Sequence, residues 1–167
     1  MTTVVMIFVL VCGVVAQAVL PAVALLGLAK PPVLLGIVLY YAFTHDRAAV
    51  LSAAILGGVL HDAQGSIPLG YSSACFCLAG LIVYRFRDVV FVLRSVTHMV
   101  IGGFSAAAIT AILAVLFTVQ GLVVFLPGGF LAKIAGAGLL GVVTVPLVFR
   151  FVEYLDLKLG NLEEAYP

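Results

Sequence analysis

The sequence predicts an all-α integral membrane protein, a bundle of about six transmembrane helices, and three observations carry that prediction. Of its 167 residues, 65% are apolar and only 9% charged, and mean hydropathy is +1.33. A soluble domain carries roughly 25% charged residues because water must wet its surface, so most of this surface is suited to hydrocarbon. Length agrees: a span of about 30 Å takes on the order of 20 helical residues. The chain accommodates six spans with tight turns as one transmembrane domain, residues 1–167, without room for a separate soluble domain. Punctuation completes the pattern, since the polar, Pro and Gly residues cluster between apolar runs.

The first run covers residues 3–29, interrupted only by Gln17 and Pro21, and ends at Lys30-Pro31-Pro32. It lacks a basic leader and exceeds the roughly 7–15 apolar residues of a signal peptide, so it is expected to be a retained first span. The second, residues 32–44, closes at Thr44-His45-Asp46-Arg47; the third, 48–60, closes at His61-Asp62 and the turn-rich 64–68. About 13 residues cover only roughly 20 Å, so these two either thin the bilayer locally or form a shallow hairpin. The fourth run, 69–84, stops at Arg85-Phe86-Arg87-Asp88. The fifth covers 97–119, and the sixth, after Pro127-Gly128-Gly129, covers 131–152.

Charge placement orients the bundle. With the N-terminus inside, Arg47, Arg85, Arg87, Arg94, Arg150 and Lys158 are cytoplasmic, and only Lys30 and Lys133 lie outside. The positive-inside rule favours this arrangement, with both termini cytoplasmic. Tyr40, Tyr41, Tyr71, Tyr84 and Tyr154 sit near run ends, where aromatic rings prefer the headgroup zone. The net charge of +1 offers no field for nucleic acid.

Catalytic patterns are missing from the sequence: no nucleophile elbow, zinc-protease pair, phosphate loop or dinucleotide fingerprint occurs. His45, His61 and His98 are scattered over run ends, and Cys12, Cys75 and Cys77 lie in apolar runs as small core or lipid-facing residues. No enzyme, cofactor or metal is expected. Gln17, Ser105, Thr110 and Thr144 are the mid-span polar residues, suited to helix-to-helix hydrogen bonding. Without a charge at membrane depth, ion-coupled transport is disfavoured.

Small residues four apart let helix backbones approach closely. They occur at Ala53/Gly57, Ala54/Gly58, Gly102/Ala106 and Ala132/Gly136. Most suit packing within the bundle. Ala53, Ala54, Gly57 and Gly58 also form a candidate partner-binding surface, with Asp62 capping its outer end or holding its own turn through the N–H groups of Gly65 and Ser66. Residues 85–98 alternate charged and apolar residues, which suits a helix at the cytoplasmic interface, with Arg85, Arg87 and Arg94 facing headgroups or a cytoplasmic partner.

Residues 32–70 resemble the rod shape-determining MreD family. The resemblance rests on Pro32 opening a short span, Val-Leu-Tyr-Tyr at 38–41, Gly57-Gly58, then Asp62 with Leu69-Gly70 following. Gln17 with Pro21, and Pro146 in the last span, also fall where that family tends to have Gln and Pro, and the hydropathy layout is similar throughout. The turn glycine, Gly65, sits one place earlier than in some members. The resemblance implies a non-catalytic inner-membrane component of the bacterial cell-elongation complex. It would bind an MreC-like bitopic protein and help couple MreB filaments to peptidoglycan synthesis by RodA and a class B penicillin-binding protein. That family is also similar in fold to the S-components of energy-coupling-factor transporters, so the alternative is a vitamin-binding S-component.

Overall fold

The computed structural model describes residues 2–23, 27–65, 68–87, 94–121 and 127–159. Six helices follow one another: α1 (Thr2–Val19), α2 (Val33–Thr44), α3 (Arg47–Gln64), α4 (Tyr71–Phe86), α5 (Arg94–Val119) and α6 (Pro127–Lys158). No strand occurs among the described residues.

The helix boundaries differ from the apolar runs in ways that local chemistry explains. The first run stops being helical at Val19, two residues before Pro21. A proline has no N–H to donate and disfavours helical backbone in the residue before it. Beyond it the chain turns back, with Val23 donating to the Ala29 carbonyl at 3.0 Å and Gly27 and Leu28 at φ 63° and 59°. The third helix passes through His61 and Asp62 to Gln64, because both side chains find partners inside the protein. Its 18 residues therefore reach roughly 27 Å. The last helix is longest, 32 residues from Pro127 to Lys158, or about 48 Å. Proline suits its first position, where the N–H has no intrahelical acceptor.

The short second helix is the centre of the molecule. Every residue from Val33 to Ala42 is buried, and α1, α3, α4, α5 and α6 all touch it. A helix apolar on all sides belongs in an interior, which is where α2 lies. Helices α3 and α4 pack as one antiparallel pair and α5 and α6 as another. Glycines set both distances. A Cβ on Gly58 would lie 2.2 Å from Ser73 Cα, and one on Gly141 would lie 2.7 Å from the Gly102 carbonyl oxygen.

The remaining helices bury one stripe and expose another. On α1, Val5, Met6, Val9 and Leu10 are buried, while Val4, Phe8, Val11, Val15 and Val19 face outward. Two segments are long and apolar enough to cross a membrane, Val96–Val119 and Gly129–Lys158. Helices α1, α2 and α4 are apolar but shorter.

Candidate functional site

Polar side chains gather at the two ends of α2. At its N-terminal end, Asp62 is 1% exposed and works as a helix cap. Its Oδ2 accepts the Gly70 N–H at 2.7 Å, and its two carboxylate oxygens receive the Ser72 N–H at 3.2 and 3.3 Å. These N–H groups open α4, where no intrahelical carbonyl reaches them and where the helix dipole favours a negative charge. Gly70 holds φ 107°, a conformation open to glycine and costly for other residues. Asp62 thus serves the next helix instead of capping a partner surface, and the Gly65 N–H donates to the Asp62 backbone carbonyl at 3.2 Å and not to its carboxylate. Ser66 lies outside the described residues.

The small-residue seam requires a second correction. Ala53 and Ala54 are 0% exposed, and Gly57 and Gly58 are buried. Gly58 lies against the Ser73 backbone, while Gly57 faces Val38, Leu10 and Phe76. All four face the bundle interior, because α3 must approach α4 and α2 closely to shield its backbone. No partner reaches them without opening the fold.

The neighbours of Asp62 also bond inward. Gln17 Oε1 accepts the Leu34 N–H at 3.2 Å, and Gln64 Nε2 donates to the Val14 carbonyl at 2.6 Å. His61 Nδ1 lies 3.0 Å from Ser72 Oγ. Between these residues and the α5–α6 pair is a cavity of about 330 Å³, with Lys30, Gln17, His61, Gln64, Thr110 and Lys133 as its polar lining. Gln120 donates to the Tyr71 hydroxyl nearby and ties the end of α5 to the start of α4.

At the other end of α2, a second buried acid organises the structure. Asp156 is 0% exposed and accepts the Tyr40 hydroxyl at 2.8 Å. His45 follows α2 with its Nδ1 2.7 Å from Thr44 Oγ1, and Arg87 donates to the His45 carbonyl at 2.7 Å. The Tyr41 hydroxyl and His45 Nε2 are buried without a hydrogen-bond partner, their rings 4.7 Å apart. Burial lowers the His45 pKa, against the opposing fields of Asp156 and Asp46, so the ring is held towards its neutral form. Tyr40 and Tyr41 are 1% and 0% exposed, covered by neighbouring helices. Tyr154, at 61%, stands out on the surface.

The predicted interfacial helix over 85–98 is described only at its ends. Arg85 is exposed on the last turn of α4. Arg87 stacks 4.4 Å over the Tyr84 ring besides bonding to His45, so its guanidinium is engaged within the protein. α5 begins at Arg94, whose side chain, like residues 88–93, lies outside what is described.

Chemically, one hydroxyl and one ring base meet, Ser72 Oγ and His61 Nδ1 at 3.0 Å, but Ser72 is 0% exposed, so its hydroxyl is closed to a substrate. No cluster of three or more His, Cys, Asp or Glu able to hold a metal occurs among the described residues. No protein-family model, curated protein or solved structure matches this chain. The geometry therefore has to speak for itself: one acid capping a helix, one acid holding a tyrosine, and a cavity beside the first.

Asp156 was missed in the sequence because it stands in a polar tail, Glu153 to Lys158. A signal was present: Val145, Phe149, Val152 and Asp156 are spaced four, three and four apart. That spacing puts the acid on the buried face of α6.

Proposed function

We propose that this chain is an integral membrane scaffold of the bacterial inner membrane. In this proposal it is a non-catalytic, MreD-like member of the cell-elongation complex that binds an MreC-like single-span protein. Embedding is supported above all by where the apolar side chains stand. Of the 18-residue apolar windows in α5 and α6, only 33% and 22% is buried. Val100, Phe104 and Val119 on α5 and Leu131, Leu139 and Leu147 on α6 are 60–81% exposed. A core helix of a soluble protein is apolar because it is covered, whereas these stripes are uncovered over most of their length. Soluble monomers rarely expose contiguous apolar patches beyond a few hundred Å². Lipid is the environment that such stripes match.

The partner assignment rests on the resemblance in residues 32–70. With the α3 seam covered, a single-span partner would pack on an outward stripe of α1, α5 or α6. Co-expression with the MreC-like protein of the same cell, and purification through a tag on this chain alone, tests it. A stable complex is expected. Phe8→Ala, Phe104→Ala and Phe151→Ala then identify the stripe involved, because each truncates an exposed side chain and leaves the core intact. The cavity beside Asp62 favours the alternative, a vitamin-binding S-component. Purification free of the MreC-like protein, with a vitamin-dependent rise in Tm, would replace the scaffold proposal with that one.

A further inference from the structure

We infer that the cavity beside Asp62 is a binding site for an anionic phospholipid, one whose phosphate headgroup carries net negative charge. Its phosphate lies with Lys30 and Lys133, and its chain lies against α5. The inference rests on the membrane embedding proposed above and not on the identity of the protein partner.

Charge is the first reason. Two lysines from separate elements, the loop before α2 and the start of α6, line the cavity, and no described lining residue is acidic. The acid next in sequence to His61 is turned away, since the Asp62 carboxylate is held by the N–H groups of Gly70 and Ser72. An anion entering here meets cations and hydrogen-bond donors.

Donors are the second reason. Gln17 is 4% exposed and its carbonyl oxygen is engaged by Leu34, which leaves its amide N–H₂ as the group it offers the cavity. His61 uses Nδ1 towards Ser72, leaving Nε2. These are the kinds of side-chain groups, anchored from behind, that orient a phosphate oxygen.

Shape and wall chemistry select a lipid over a free anion. The lining also includes Leu35, Phe76, Ile109, Leu113 and Phe117, apolar walls that suit a hydrocarbon chain and not an inorganic ion. At about 30 Å³ per water-sized group, 330 Å³ holds about eleven such groups. That suffices for a phosphate and the first part of one chain, and the remainder must extend out of the cavity into hydrocarbon.

The test is a titration of the purified protein in an uncharged maltoside detergent with dihexanoyl phosphatidic acid, dihexanoyl phosphatidylcholine and inorganic phosphate, read as Tm. Phosphatidic acid should give a saturable rise of roughly 5 °C or more at a hundredfold excess over Kd, with the other two giving little. Lys30→Gln, an exposed position, should weaken the effect alone, and Lys30→Gln with Lys133→Gln should lower apparent affinity at least about tenfold, with Lys→Arg restoring it. Equal stabilisation by inorganic phosphate would assign the site to a free anion and overturn the lipid. Equal stabilisation by phosphatidylcholine, full binding by the double variant, or no shift with any probe would each overturn the site. Carbonate extraction of the parent membranes reports embedding separately, so failure of that premise is distinguishable from loss of the site.

Discussion

Asp62 places a charge at 1% exposure, and what makes that tolerable is where its oxygens point. The two N–H groups it accepts are the unsatisfied donors of a helix start, so one side chain removes two desolvation problems and adds a favourable dipole interaction. Asp62→Ala should therefore cost on the order of 1–3 kcal/mol, a Tm loss of several degrees in a chain of this size. Asp62→Asn keeps an acceptor oxygen without the charge and should fall between the two. Thermal unfolding of the three proteins in one detergent checks the order, and an Asp62→Ala protein as stable as the parent would refute the capping role. The sequence shows Asp62 as a lone acid closing an apolar run. Its acceptor role depends on the chain returning through Gly70 at φ 107°, eight residues on, and no local pattern announces that return. Asp156 differs, because its four-three-four register with Val145, Phe149 and Val152 is readable in advance once helix α6 is extended past 152.

Helices carry information in their small residues, and here the close contacts decide which glycines matter. A Cβ at Gly58 would meet Ser73 Cα at 2.2 Å and Ser73 N at 2.4 Å, backbone atoms that cannot yield without moving α4. A Cβ at Gly57 would meet the Val38 and Leu10 methyl groups at 3.3 and 3.4 Å, which can shift slightly. Gly58→Ala should thus destabilise by about 1–3 kcal/mol, the usual range for overpacking, while Gly57→Ala should cost less than half as much. Equal melting temperatures for the two variants would contradict the α3–α4 contact described above. The small-xxx-small spacing identifies both glycines in the sequence, but it is symmetric about the helix and says nothing of which neighbour fills the groove. That is why a surface expected to meet a partner turns out to be covered by α2 and α4. Helix number was legible from punctuation alone. Helix ends were not, because His61, Asp62 and Gln64 read as a stop signal until their partners on other helices are known.

At the scale of the whole molecule, the proposed embedding has to accommodate a short α2 in a thick membrane. Its 12 residues rise only about 18 Å, too little to match roughly 30 Å of hydrocarbon if lipid surrounded it. With residues Val33 to Ala42 all buried, lipid does not surround it. Its ends meet Gln17 of α1 on one side and Asp156 of α6 on the other, polar groups supplied by longer neighbours, while its own Thr44 hydroxyl returns to the Tyr40 carbonyl. In the proposed embedding the membrane-matching length falls to α5 and α6, so α2 would link the two faces without thinning the bilayer. This gives an expectation for topology. In a background with Cys12, Cys75 and Cys77 replaced by Ala, single cysteines at Lys30 and Lys133 should react with a membrane-impermeant maleimide in intact spheroplasts. Single cysteines at Arg47 and Arg85 should react only after permeabilisation, as the positive-inside distribution requires. The inverse pattern would reverse the orientation and put the Asp62 cavity on the cytoplasmic side. Labelling of Lys30→Cys and Arg47→Cys from the same side would show that α2 does not connect opposite faces. In that event the interior position of α2 would describe a re-entrant hairpin shielded by the other helices, and the span count would fall.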